Sequence, residues 1–409
     1  MHAWEPVPVP VVPGGDGGVV RVYDTVRASV QPVGPATGAA RLYACGITPY
    51  DATHLGHAFT YVSIDLLVRA WRDAGLDVRF AQNVTDVDDP LLERAADTGT
   101  DWRALAEEQT ELYRTDMAAL RVLPPDALTA VSEVMDGITG TILGLRDRQA
   151  AYQLTDPTHP DWYFSVTSTS NLLQGAPVSL PEAEQLFAER GGDPERDGKR
   201  HRLDCLVWRQ QRPGEPAWDT GLGAGRPGWH VGCTTIALNA LGPDFDVQAG
   251  GSDLAFPHHP MCAAEARVLT GEPFAQAFLH TGMVSYEGAK MSKSLGNLVF
   301  VHRLRAEGVD PMALRLVLLA HHYRSDWEYT AAELAAAQTR LAMWRTAVAR
   351  PSGPAAGPLI EAVRAALRED LNAPTALAAI DQWAAAPGTD ASAPQSVSAV
   401  IDALLGIRL

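Results

Sequence analysis

Between residues 41 and 84 the chain writes out a strand, a glycine turn, a long amphipathic helix and a second strand. Arg41-Leu-Tyr-Ala-Cys45 is short and apolar, and Gly46-Ile-Thr-Pro-Tyr50 interrupts it. A helical stretch opens at His54-Leu-Gly-His57 and runs to about Ala74, where Gly75-Leu-Asp stops it. Val78-Arg-Phe-Ala-Gln-Asn-Val84 reads as the second strand. Two strands joined through a helix lie parallel in one sheet, because a parallel pair needs a long crossover. The expected fold class is therefore α/β, with a parallel sheet of the kind that binds nucleotides.

Composition narrows what such a sheet serves. The 409 residues, 46% of them hydrophobic, suffice for two to three folded units. Lys plus Arg is 33 against 49 Asp plus Glu, a net charge of −16, which disfavours a nucleic-acid partner. Only three of those cations are lysines, Lys199, Lys290 and Lys293, so Arg is the default and a surviving Lys marks a position that needs it. Four widely spaced cysteines are not a disulfide scaffold. No apolar run approaches the ~20 residues that span a bilayer, and the Pro/Val-rich start lacks the pattern of a signal peptide. We expect a cytoplasmic protein with no membrane partner.

Further along, residues 1–18 alternate Pro with Val, as an extended arm does. Residues 101–150 carry helical periodicity. From about 151 to 228 the chain turns loop-rich, which predicts an insertion between two halves of the sheet. Residues 229–285 return to strands and helices, with a strand at Phe245-Asp-Val-Gln and a helix from Pro260 to Leu269. Helices are expected over Leu314–Ala320 and Ala331–Ala349, then two more beyond a Pro/Gly linker at 351–358.

Two motifs carry chemistry. In His54-Leu-Gly-His57 the imidazoles share one helix face at the positive end of the helix, where phosphate charge is stabilised, and Gly56 leaves the backbone open to a flat ligand. Lys290-Met-Ser-Lys-Ser294 concentrates two of the three lysines in one loop. Mobile ammonium groups there suit a triphosphate and a departing pyrophosphate.

In this order the two motifs resemble the class I aminoacyl-tRNA synthetases. Cys45-Gly-Ile-Thr-Pro-Tyr-Asp51, Asn83-Val-Thr-Asp-Val-Asp-Asp89, Gly225-Arg-Pro-Gly-Trp-His230, Gly250-Gly-Ser-Asp-Leu-Ala-Phe-Pro-His-His259 and His322-Tyr-Arg-Ser325 resemble cysteinyl-tRNA synthetase in particular. The resemblance implies a Rossmann-like catalytic domain in two halves, 36–130 and 225–280, split by an insertion at 131–224. An arm at 1–35 precedes it; a connecting element at 281–330 and a C-terminal helical bundle at 331–409 follow. His54, His57, Lys290 and Lys293 become the catalytic group, acting on ATP that enters with magnesium. One zinc ion per chain is implied on Cys45, Cys233 and His258, with the substrate thiolate in the open fourth position. Cys262 stands where the synthetases usually have Glu, and is either a fourth ligand or a small buried helix residue; Cys205 is expected to pack. The matching cysteine and adenylate positions are Cys45, Gly46, Ile47, Thr48, Thr60, Asn83, Val84, Thr85 and Trp229, then Gly251, Ser252 and Asp253 at the ribose, and Val284 at the adenine. Gly232 replaces a Glu common in the synthetases.

The acceptor divides two readings. A tRNA synthetase needs a basic RNA-binding region after the bundle. Residues 325–409 hold six Arg, no Lys and nine Asp/Glu, and the sequence stops about 85 residues after His322-Tyr-Arg-Ser325. The chain is more similar to the ATP-dependent cysteine ligases of mycothiol biosynthesis, through its prolyl arm, Glu189-Arg-Gly-Gly-Asp-Pro194 and Ile401-Asp-Ala-Leu-Leu-Gly406. That resemblance implies L-cysteine, ATP and glucosaminyl-inositol as substrates of a monomer with no nucleic acid. A synthetase without an anticodon-binding domain is the alternative.

Overall fold

The structure, a computed structural model, describes residues 1–15, 17–51, 53–169, 172, 178–291 and 296–409, with Lys290 described by its backbone only. Five strands form the central sheet: β1 (Ala39–Ala44), β2 (Asp77–Val84), β3 (Ala127–Ala130), β4 (Phe245–Gly251) and β5 (Ala275–Thr281). Their spatial order is β5-β4-β1-β2-β3, and every pairing is parallel. A parallel sheet is buried on both faces, and β1 shows why its sequence is apolar throughout. Ala40, Leu42 and Ala44 enter one hydrophobic core, whereas Tyr43 and Cys45 enter the other.

Helix α1 (Leu55–Asp73) leaves β1 for the first core, and α2 (Asp89–Thr98) follows β2. Helix α3 (Trp229–Leu241) feeds β4, and α4 (His258–Thr270) leaves β4 for the second core. Neighbouring strands β1 and β4 thus send their helices to opposite faces. A crevice opens where they part, at the carboxyl ends of the strands. The loop-rich segment forms an antiparallel sheet of Ala151–Gln153, Trp162–Phe164, Cys205–Gln210 and Gly225–Pro227, with a helix at Leu180–Glu189.

C-terminal helices α5 (Pro311–Leu319), α6 (Ala331–Val348), α7 (Ala356–Arg368), α8 (Ala373–Ala385) and α9 (Ala393–Leu405) complete the chain. Three helices, not two, follow the linker. Asp370 and Leu371 take positive φ values of 60° and 48°, and the Asn372 side chain then caps α8. The strained turn is held from outside: the Asp370 carboxylate accepts from Tyr323 Oη at 2.6 Å and the Tyr23 N–H at 2.9 Å, and pairs with Arg324 at 2.6 Å. The N-terminal arm runs over both units. Trp4 Nε1 donates to the Val122 carbonyl at 2.8 Å, and Arg364 Nη2 donates to the Val12 carbonyl at 2.7 Å.

One buried network joins the sheet domain to the bundle. Asp65 on α1 accepts from Arg69 Nε at 2.7 Å, from Arg315 of α5 and from the Leu123 N–H at 2.9 Å. All three charged side chains are fully buried. Arg69 donates onward to the Asp402 and Ala403 carbonyls at 3.0 Å, and Arg315 to those of Leu405 at 2.6 Å and Leu120 at 2.7 Å. Burial alone would raise the Asp65 carboxyl, but the Arg69 and Arg315 guanidiniums outweigh it and hold the group below its ordinary 3.8. Its stabilising contribution is therefore present above that value and lost as pH falls below it. Asp65→Asn leaves two buried guanidiniums without their carboxylate and is expected to cost about 3–5 kcal/mol in denaturant unfolding at neutral pH. A loss within about 0.5 kcal/mol, the scatter of surface substitutions, would remove the network from this role.

Candidate active site

The crevice is a cleft of about 980 Å³. At its base Cys45 follows β1, Cys233 lies near the start of α3 and His258 begins α4. All three are buried, and one donor atom from each lies within 4.8 Å of the others. Hydrogen bonding from Cys45, against the opposing effect of burial and with the His258 ring nearby, holds the Cys233 thiol well below its usual range. Burial and then Cys233 push the Cys45 thiol up. Two thiols and an imidazole gathered in a dry site are a donor set suited to a soft divalent metal with one position open. Cys262 lies outside this trio. Its thiol is 3.5 Å from the His230 carbonyl and 3.8 Å from His258 Nε2. Cys205 is buried, 3.8 Å from Glu265 Oε1. Burial pushes that carboxyl to about 8, so it sits there as a neutral acid.

A shell of rings orients the trio. Trp229 stacks on His258 with centroids 4.3 Å apart and an interplanar angle of 22°, and His230 Nδ1 lies 2.8 Å from His258 Nδ1. His259 Nε2 lies 3.3 Å from Cys45 Sγ, His259 Nδ1 lies 2.8 Å from His280 Nε2, and His280 Nδ1 lies 2.8 Å from Thr25 Oγ1. Burial lowers the histidines of this chain, His280 to about 4, so they are neutral partners. Sequence reasoning singled out neither His230 nor His280. Each is a lone histidine whose partners come from another element, so no spacing marks it.

Above the trio, His54 caps α1 by accepting from the Gly56 N–H at 3.1 Å and stacks on His57 at 3.8 Å. Gly56 is needed for this pair itself, since a Cβ there would lie 2.8 Å from the His54 ring. His57 is lowered to about 4 by burial, and its Nδ1 has no partner among the described residues. Thr60 Oγ1 is 2.8 Å from Thr281 Oγ1, which ties α1 to the end of β5. Thr48, Gly251, Asp253 and Val284 also line the cleft. Asn83 lies beneath it: its Oδ1 accepts from Tyr43 Oη and from the Gly46 N–H, both at 2.9 Å, and its Nδ2 donates to Thr85 Oγ1 at 2.9 Å. Ile47 and Val84 are buried, and Ser252 opens the short turn Ser252–Ala255. The Lys290 backbone pairs with Ser285 in a short ladder beside the cleft, while Lys293 lies outside the described residues.

The insertion reaches this site through Glu189-Arg-Gly-Gly-Asp-Pro194. Arg190 Nη1 donates to the Asp253 carbonyl at 2.5 Å and to that of Phe256, bracketing the turn that leads into His258. Lys199, buried at 2% exposure, spends its ammonium on the Asp193 carboxylate at 2.9 Å, the Asp193 carbonyl at 3.0 Å and the Arg202 carbonyl at 2.9 Å. Three donors around a compact charge are what Lys offers and a planar guanidinium does not.

Residues 33–339 match the family model described as the class I (C) tRNA synthetase catalytic domain. Among solved structures the chain is similar to Mycobacterium tuberculosis methionyl-tRNA synthetase in complex with methionyl-adenylate, with a TM-score of 0.62 and 18% identity over 90% of this chain and 92% of that one. The fold is thus that of a class I synthetase catalytic domain with helices appended. Over their whole lengths, L-cysteine:1D-myo-inositol 2-amino-2-deoxy-alpha-D-glucopyranoside ligases are 58% identical to it in Thermobispora bispora and 55% in Streptosporangium roseum. The chain belongs to this ligase family within the class I synthetases.

Gly46 sets how closely β1 and β2 approach beneath the site, because a Cβ there would lie 1.6 Å from the Asn83 carbonyl oxygen. Gly46→Ala is expected to cost about 1–3 kcal/mol in denaturant unfolding. Gly140→Ala, in a helix with nothing within 4 Å, is expected to be neutral or stabilising. Equal effects of the two would refute this account of Gly46.

Proposed function

We propose that the protein activates L-cysteine with ATP and joins the cysteinyl group to the amine of glucosaminyl-inositol, releasing pyrophosphate and AMP. The observation that carries the reading is the thiol–thiol–imidazole trio at the switch point of a class I synthetase sheet, in a chain that aligns end to end with ligases of that name. The acceptor reading is supported against tRNA by the same alignment and by the surplus of acidic residues in 325–409.

Zinc is the metal we assign to Cys45, Cys233 and His258; when bound it supplies a soft open position that a cysteine thiolate fills and a serine hydroxyl does not. Trp229 and His230 keep the His258 ring in place from its two sides. In the first step a cysteine carboxylate oxygen attacks the α-phosphorus of magnesium-bound ATP, and the bond to pyrophosphate breaks. His54, His57, Lys290 and Lys293 stabilise the phosphate charge; His57, neutral by burial, does so as an N–H donor. In the second step the neutral amine attacks the adenylate carbonyl. The carbon–nitrogen bond forms, AMP leaves with the carbon–oxygen electron pair, and the nitrogen's proton passes to solvent. The amine is nucleophilic enough that positioning, rather than a strong base, sets the rate. No helix of the described residues is long and apolar enough to cross a membrane. On its likeness to biosynthetic ligases we place the enzyme in the cytoplasm, as a monomer.

Discharge of the adenylate decides the acceptor. Protein loaded with cysteinyl-adenylate should release AMP with glucosaminyl-inositol and not with tRNA; the reverse pattern would make it a synthetase. Lys293→Ala should lower cysteine-dependent ATP–pyrophosphate exchange by about 10²–10³-fold, and near-normal exchange would remove the lysines from the mechanism. Metal analysis of Cys233→Ala should show loss of bound zinc together with loss of cysteine binding, whereas retained zinc would refute the ligand set.

A further inference from the structure

At about 980 Å³ the cleft stands at the upper end of the roughly 300–1,000 Å³ usual for a small-molecule site. His54, Gly251 and Val284 account for its nucleotide side, and the trio with Trp229 for its cysteine end. One wall remains, formed by the loop after β1 and the head of α2, which meets Arg209 and Arg226 of the insertion sheet at Asp89. Asp51, Asp88, Asp89 and Glu93 all line it.

This wall is short of donors. Asp51 Oδ1 accepts from Arg94 at 2.9 Å, but its Oδ2 is buried without a partner among the described residues. Asp88 is half-buried and lines the cleft; its Oδ1 accepts from the Asp89 N–H at 2.9 Å, and its Oδ2 has no hydrogen-bond partner among the described residues. Asp89 and Glu93 stand at i and i+4, on one face of α2. Arg226, 3% exposed and also paired with Glu215 at 3.0 Å, neutralises Asp89 from the insertion sheet. Glu93 is exposed to the cleft and has no counter-ion among the described residues. Acceptor oxygens without donors, plus one uncompensated carboxylate, match a cationic polyhydroxylated amine. The cysteine ammonium offers the same chemistry, so the test below reads cysteine activation and acceptor use separately.

We propose that Glu93, with Asp88 and Asp51, forms the subsite for the acceptor: Glu93 pairs with the charged amine as it enters, the ammonium loses a proton to solvent before the neutral amine attacks, and the two aspartates accept from sugar or inositol hydroxyls. The inference rests on the ligase reading above and adds to it the residues that read the second substrate. Arg190 is a positioning residue here. Its Nη1 donates to the Asp253 and Phe256 carbonyls, which fixes the turn into His258.

The test separates the two half-reactions on the same preparations. Rates of AMP release are measured against glucosaminyl-inositol at saturating cysteine and ATP, beside cysteine-dependent ATP–pyrophosphate exchange. In Glu93→Gln the acceptor KM should rise about tenfold or more while exchange changes by less than about twofold. Asp88→Asn, which keeps a capping side chain, should behave alike. An acceptor KM that moves less than about twofold in both variants, or exchange that falls in proportion to it, overturns the subsite. If the unaltered protein fails to discharge cysteinyl-adenylate to glucosaminyl-inositol, the ligase reading itself fails and this subsite with it.

Discussion

The carboxylate of Asp65, shared between Arg69 and Arg315, is the interaction on which the rest of the structure depends. It sits midway along α1, the helix whose first turn carries His54 and His57. Through Arg315 it fixes α5, and through Arg69 it fixes the end of α9. A buried ion group of this kind adds little net stability over apolar packing, but it tolerates only one relative placement of its members. The helix that opens at His54 and His57 therefore cannot slide against the bundle without stranding Arg315, because only Arg69 travels with Asp65 on the same helix.

Above that anchor, the doubly wound sheet does the gathering. Cys45, Cys233 and His258 are far apart in sequence, yet each lies near the point where its element meets the crevice between β1 and β4. The chemistry is held by element ends, whose positions the sheet registers fix. The insertion is not a bystander to this arrangement. Arg190 holds the carbonyls that flank the turn into α4, so the placement of His258 depends on a segment more than sixty residues away.

Much of the architecture was legible in the sequence because it is written locally. The strand–turn–helix–strand of residues 41–84 appears as β1, α1 and β2, with ends shifted by one or two residues. Cys45, Cys233 and His258 came only by resemblance, since no local spacing marks donors that a sheet brings together. The Asp65 network was illegible for the same reason: three charges at 65, 69 and 315 look like any others until packing excludes water. Lys199 was half-read. Its rarity flagged the position, but the structure spends it on Asp193 and Arg202. The third helix after the linker was missed because its boundary is a turn of non-glycine residues at positive φ, held by Tyr323 and Arg324 from another element. Asp370, Asn372 and Pro374 are turn-forming residues, but scattered among helix formers they are weaker punctuation than a glycine.

The prolyl arm has a consequence for how the protein is made. Residues 12–15 are held by Arg364 and Arg368, and the buried arginines of α1 and α5 find their carbonyl partners at residues 402–405. During synthesis the arm and the nucleotide-binding half emerge first, yet several groups that satisfy them lie more than three hundred residues further along the chain. Until those are made Arg69 lacks its acceptors from α9, and residues 12–15 lack their arginines, although Trp4 already has its partner Val122. Completion of the catalytic half is thus deferred until α7 and α9 have been made, and segments more than three hundred residues apart close the fold together.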